Sequence, residues 1–216
     1  MRYHHHRPIL RGISIIGCVL LVWTQGCATH SETSTPKPGS GIAEYAQLAK
    51  ETSKDVHESL DALDRFAGSG GKNPQMAMAR FSESINQLQV KSQTMRTRFQ
   101  AMEARGDAYF EHWEASLARV KDAKFRELAE QHHQDLQQSF QKIKGFSQEG
   151  RTAFKSYIAG LRGIRVAVEK DPSNFTAQST TDLINKTREH GQHVEQQLKS
   201  ILSELDGMAV MLQVKT

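Results

Sequence analysis

His190 and His193 stand one helical turn apart, so two imidazoles on one face could share a divalent cation. Zinc takes three or four protein ligands, and no acid or cysteine is spaced to complete that set. His132 and His133 are adjacent, point to different sides of a helix, and leave one ring near an apolar stripe. A carboxylate-bridged di-metal bundle needs paired Glu-x-x-His steps. The steps from Glu130 to His132 and from Glu189 to His190 have the wrong spacing. Gly68-Ser69-Gly70-Gly71 has no strand before it and no Gly-Lys-Ser/Thr after it, so it reads as a linker rather than a phosphate cradle. No Gly-x-Ser-x-Gly elbow occurs. These residues point to no catalytic centre, no metal site and no cofactor, and the expected protein is not an enzyme.

The remaining chemistry belongs to Cys27. Residues 1–12 hold Arg2, Arg7 and Arg11, and residues 13–23 (ISIIGCVLLVW) are almost wholly apolar. Eleven such residues rise about 16 Å as a helix, short of a hydrocarbon core of about 30 Å. The order of charge, short apolar run and small residue predicts a secretory signal peptide over residues 1–26. The junction TQGC resembles the bacterial lipobox, whose cysteine is diacylated and becomes the new N-terminus. Gly26 and Cys27 match it, whereas Thr24 and Gln25 replace the preferred Leu and Ala or Ser. Cleavage there removes Cys18 and leaves Cys27 no disulfide partner. His4-His5-His6 leaves with the same segment. Residues 27–41 then read as a lipidated cysteine and a flexible tether rich in Ser, Thr, Pro and Gly.

Charge argues against nucleic acid. The sequence pI is about 9.1 and the net charge +4. Three of its 28 basic residues lie in residues 1–26, which hold no acid, leaving 25 against 24 acidic ones. A near-neutral domain offers no cationic field for counterion release.

The elements that remain are helical. Ile42, Tyr45, Ala49, Thr52, Val56, Ser59, Leu63 and Phe66 alternate at spacings of three and four, a heptad seam. Glycines at 68–71 break it, and Asn73-Pro74 is a favoured helix start. A second helix is expected from Pro74 to about Val120, with the seam Phe81, Ile85, Leu88, Ser92, Met95, Phe99, Met102, Gly106, Tyr109, Trp113 and Val120. After a turn at Lys121–Lys124 a third seam runs Phe125, Leu128, Leu136, Phe140, Ile143, Phe154, Leu161, Ile164 and Val168, ended by Asp171-Pro172. A fourth is clear from Ile184 through Thr187, Gly191, Val194, Leu198, Ile201, Leu205, Met208 and Leu212, with SNFTAQSTTD before it read as loop. No β-alternation and no internal repeat is present. Short connections make the economical solution an all-α, elongated antiparallel four-helix bundle or coiled coil over residues 42–216.

The tract GDAYFEHWEASL places Tyr109 and Trp113 one turn apart with Phe110 beside them. One reading is a core layer, favoured by the seam; the other is an exposed aromatic patch that binds a partner or glycan. Met76, Met78, Met95 and Met102 allow the same two readings, with core preferred. The stretch YFEHWEASLARVKDAKFRELAEQ is similar to a stretch in the bacterial domain-of-unknown-function 2959 family. There a Trp-Glu pair, here Trp113-Glu114, precedes a turn and another long helix, and Tyr157–Leu183 also aligns. This chain lacks the family's strongly acidic character. The resemblance implies an exported helical coiled-coil protein with no assigned activity.

Two functions follow as expectations. The first is a lipid-anchored envelope protein, a scaffold or protein-binding module for another envelope component. Ala28 after Cys27 resembles the outer-membrane sorting pattern, which puts the protein on the periplasmic face of that membrane. The second is a small-ligand or lipid carrier using the bundle interior, for which Thr52, Ser59, Ser92, Thr187 and Gly191 either line a cavity or permit close packing. Whether the seams close within one chain or between copies stays open.

Overall fold

The eight seam residues of the first helix share one face, and in the computed structural model seven of them, from Tyr45 to Phe66, are buried while Ile42 is half-buried. The structure describes residues 38–68, 74–171 and 178–213. The expected signal peptide, Cys27, the expected tether before Pro38, the expected Asn73 cap and residues 172–177 lie outside them. Four helices account for nearly all of it: α1 Pro38–Gly68, α2 Pro74–Leu117, α3 Ala123–Lys170 and α4 Gln178–Gln213. No strand occurs among the described residues.

Each helix starts where local chemistry permits. Proline's fixed φ suits a first helical position, which explains why α1 begins at Pro38, four residues inside the expected tether. Asp122 caps α3 by accepting a 2.9 Å hydrogen bond from the Phe125 N–H. The turn therefore falls at residues 118–122, slightly before the expected Lys121–Lys124. Asp171 stops α3 with extended backbone, φ −152° and ψ 107°. α4 begins at Gln178, so Gln178–Asp182 of the expected loop is helical. Gln178 donates to Asp182 Oδ1 one turn ahead at 2.8 Å, a pairing only a helix makes.

Sequential neighbours run antiparallel. Tyr45 meets Phe99 and Phe66 stacks on Phe81 between α1 and α2. Lys144 reaches Glu103 and Asp107 between α2 and α3. Lys142 reaches Glu204, and Gln197 reaches Glu149, between α3 and α4. Asp64 pairs with Arg188 and His57 with Glu195, which closes α4 onto α1. The seams thus close within one chain as an up-down four-helix bundle.

Small seam residues serve close packing. A Cβ on Gly191 would lie 2.7 Å from Leu60 and 2.8 Å from Tyr157; one on Gly160 would lie 2.2 Å from the Thr187 hydroxyl. Thr52 and Thr187 are buried and donate to their own helix, to the carbonyls of Leu48 and Leu183. Ser59 bonds the Tyr157 hydroxyl at 2.7 Å, and Tyr45 bonds Ser147 at 3.2 Å; both cross the core diagonally from α1 to α3. Such buried polar pairs favour one register over others. Burial pushes the Tyr45 hydroxyl up to about 12 and the Tyr157 hydroxyl up as well, opposed by those hydrogen bonds. Of the five small or polar seam residues, Ser92 lines an opening, the groove described below.

Candidate functional site

α2 and α3 outrun their neighbours. Glu44 of α1 pairs with Arg98, so α1 begins about level with residue 105 of α2. α2 continues to Leu117, about 18 Å further at 1.5 Å per residue. The Lys142–Glu204 pair sets Gln213, the end of α4, about level with His133. Beyond that level the described bundle is a two-helix hairpin.

The aromatic tract sits on this hairpin. Phe110 is 5% exposed, with ring centroids 5.4 Å from His133 and 5.5 Å from Phe140. Tyr109 and Trp113 are half-buried, 5.5 Å apart edge to face. Trp113 also meets the rings of His132 and His133 at 5.5 and 5.3 Å. Burial pushes the Tyr109 hydroxyl upward. His133 is 6% exposed, and its Nε2 lies 3.8 Å from Glu114 Oε1. Of the two expected seam residues and the neighbour beside them, the neighbour, Phe110, is the buried one. Four residues on from Gly106 it points at α3, the only helix alongside among the described residues. Tyr109 and Trp113 flank it with part of their surface in solvent.

The hairpin also corrects the third seam. Phe125 is 60% exposed and Leu128 67% exposed, because α3 begins where no described residue of α4 lies beside it. Around this pair Arg119, Lys121, Lys124 and Arg126 outnumber Asp122 and Glu127. Glu130 pairs with Arg126 at 3.7 Å. The methionines divide: Met95 and Met102 are core, Met78 is half-buried and Met76 is 59% exposed.

His190 is half-buried and His193 exposed on α4. Among the described residues no group of three or more His, Cys, Asp or Glu could hold a metal ion. No helix among them is long and apolar enough to cross a membrane.

A second concavity lies midway along the bundle. α2 and α3 are its two longest helices, yet they are the least closely joined neighbours. Between them runs a groove of about 750 Å³ whose floor includes Met95, Phe99, Phe154, Ile158, Leu198 and Ile201. Of the residues that the sequence offered as cavity lining, Ser92 lies in it; its cations and Gln197 were missed. In comparisons with known proteins, no family model, curated protein or solved structure matches this chain.

Proposed function

We propose that the protein is a non-enzymatic, lipid-anchored envelope protein that acts as a scaffold or protein-binding module. Acylated Cys27 would hold it to the outer membrane, facing the periplasm, and the end of the α2–α3 hairpin would dock an envelope protein. The observation that carries this reading is the exposed Phe125 and Leu128 on one face of a two-helix overhang, with Trp113 half-buried nearby. A folded chain rarely leaves clustered large apolar side chains in water without a use for them. Arg119, Lys121 and Lys124, none of them ion-paired among the described residues, favour a partner surface that is apolar with an acidic rim. The resemblance of residues 109–131 to an exported coiled-coil family supports the same reading.

The test is photo-crosslinking in intact cells from a probe at Leu128 of the full chain, beside a control probe at Val90 on α2. The reading expects a discrete protein adduct from Leu128 alone, lost in Lys121→Glu/Lys124→Glu and weakened in Cys27→Ser. Adducts equal at both sites, adducts with lipid only, or adducts indifferent to the charge reversal would overturn it.

A further inference from the structure

The groove between α2 and α3 is lined by Arg96, Arg151, Lys155 and Arg162, and no Asp or Glu lines it. All four cations are exposed, and none pairs with a carboxylate among the described residues. Several cations at the other helix boundaries are paired. Lys91 reaches Glu51 and Asp55, Lys144 reaches Glu103 and Asp107, and Arg188 reaches Asp64, each across a helix boundary. Arg162 spends one N–H on the neutral Gln89 carbonyl.

Two cross-helix contacts bound the groove: Lys144 with Glu103 at one end and Arg162 with Gln89 at the other. In that antiparallel register Arg96 stands level with Arg151 and Lys155, so three cations gather about the middle of the opening. From residue 144 to 162 the helix rises about 27 Å. A bilayer core of about 30 Å holds two acyl chains end to end, so one chain needs about 15 Å, which lies within that length.

Gln197 supplies an independent sign. It lines the groove, is 6% exposed, and donates through Nε2 to Glu149 at 3.0 Å. That donation orients the amide, and its Oε1 is left buried without a hydrogen-bond partner among the described residues. A buried carbonyl in a ligand site calls for a donor, and carboxylate or phosphate oxygens carry none at neutral pH.

We infer that the α2–α3 groove is a binding site for a monoacyl lipid whose anionic head group also carries a hydroxyl, the chemistry of an acidic lysophospholipid. The acyl chain lies on Phe99, Phe154, Ile158 and Leu198. The phosphate takes Arg96, Arg151 and Lys155 at the opening, and a head-group hydroxyl donates to Gln197 Oε1. Opening this groove requires neither the Cys27 anchor nor the hairpin end, so the site stands or falls separately from the proposed scaffold role.

Calorimetric titration tests it, using the full chain carrying Cys27→Ala so that no acyl chain of its own competes. The probes are palmitoyl lysophosphatidylglycerol and palmitoyl lysophosphatidylcholine, both below their micelle thresholds. The expected result is one saturable site for the glycerol lipid and at least tenfold weaker binding of the choline lipid. Arg96→Gln/Lys155→Gln should weaken the glycerol lipid at least tenfold with an unchanged melting temperature. Ser92→Leu, which fills the groove from α2, should abolish binding while retaining helical content. Absence of saturable binding, equal affinity for the two lipids, or affinity indifferent to both variants overturns the assignment.

Discussion

Gly106 puts two opposed effects at one atom. Glycine inside a helix costs about 0.8–1 kcal/mol relative to alanine, so Gly106→Ala should stabilise α2 on propensity alone. A Cβ built there, however, lies 2.2 Å from Phe140 Cζ, 2.6 Å from Cε2 and 2.9 Å from Cε1. All three atoms belong to one rigid ring. That ring is 3% exposed, packed 5.5 Å from Phe110 and covered by the Lys144 ammonium 5.6 Å from its centroid. It cannot swing aside without disturbing both. Overpacking of a close-packed site costs about 1–3 kcal/mol, and a clash with a whole ring edge belongs in the upper half of that range. The steric term wins, leaving Gly106→Ala destabilised by about 1–2 kcal/mol. At about 2–4 °C per kcal/mol for a domain of this size, melting should fall by about 2–8 °C in thermal unfolding followed by circular dichroism. Gly207→Ala is the matched control: it lies inside α4 with nothing within 4 Å of its Cβ, so it should raise the melting temperature. In a Phe140→Leu background the Gly106→Ala penalty should shrink or reverse. Gly106→Ala melting above the parent, as Gly207→Ala does, would refute the packing of Phe140 against α2.

Mass spectrometry of the chain isolated from its own membranes should show Cys27 as an acylated N-terminus; an intact residue 1 or a free Cys27 thiol sinks the anchor. Stability should fall as pH rises through about 10 to 12, because Tyr45 is held neutral in the fold up to about 12 while the unfolded phenol ionises near 10. Two pH units at about 1.4 kcal/mol each make the Tyr45 share of that loss about 3 kcal/mol, and Tyr45→Phe should remove that share and leave the slope that Tyr157 carries, as read by urea unfolding at each pH. Trp113→Ala should lower the melting temperature by less than Phe99→Ala, since Trp113 is half-buried on the hairpin and Phe99 is 3% exposed in the four-helix core. Equal losses would mean the hairpin is packed as tightly as the core.

The seams of α1 and α4 were legible because both helices have neighbours along their whole described length. Every expected position from Tyr45 to Phe66 and from Ile184 to Met208 is buried. Periodicity reports which face of a helix is apolar, and burial follows only where another helix covers that face. At the start of α3 no described helix does, and Phe125 and Leu128 keep the spacing while exposed. Tyr157 shows the opposite case. It sits three and four residues from Phe154 and Leu161 and is the largest fully enclosed side chain among the described residues, yet the expected seam passes over it; its hydroxyl meets Ser59 across the core. Boundaries moved for local reasons at Pro38 and Gln178, where proline geometry and a one-turn amide–carboxylate pair outweigh poor propensity.

The groove was not legible, and the reason lies in which way α3 leans. Gly150 faces Gln197, Gly160 faces Thr187 and Gly163 faces Leu183, so the small side of α3 is turned to α4. Missing Cβ atoms let those two backbones approach, and α3·α4 is the closest pairing in the bundle. Toward α2 the groove is lined by Met95 and Phe99. In sequence, Arg151, Lys155 and Arg162 look like an ordinary solvated stripe and Met95 and Phe99 like an ordinary seam. Only the unequal spacing of α3 between its two neighbours sets that stripe over apolar side chains and leaves the Gln197 carbonyl among them. A glycine face is therefore informative twice: it says where two helices close, and by difference where the bundle opens.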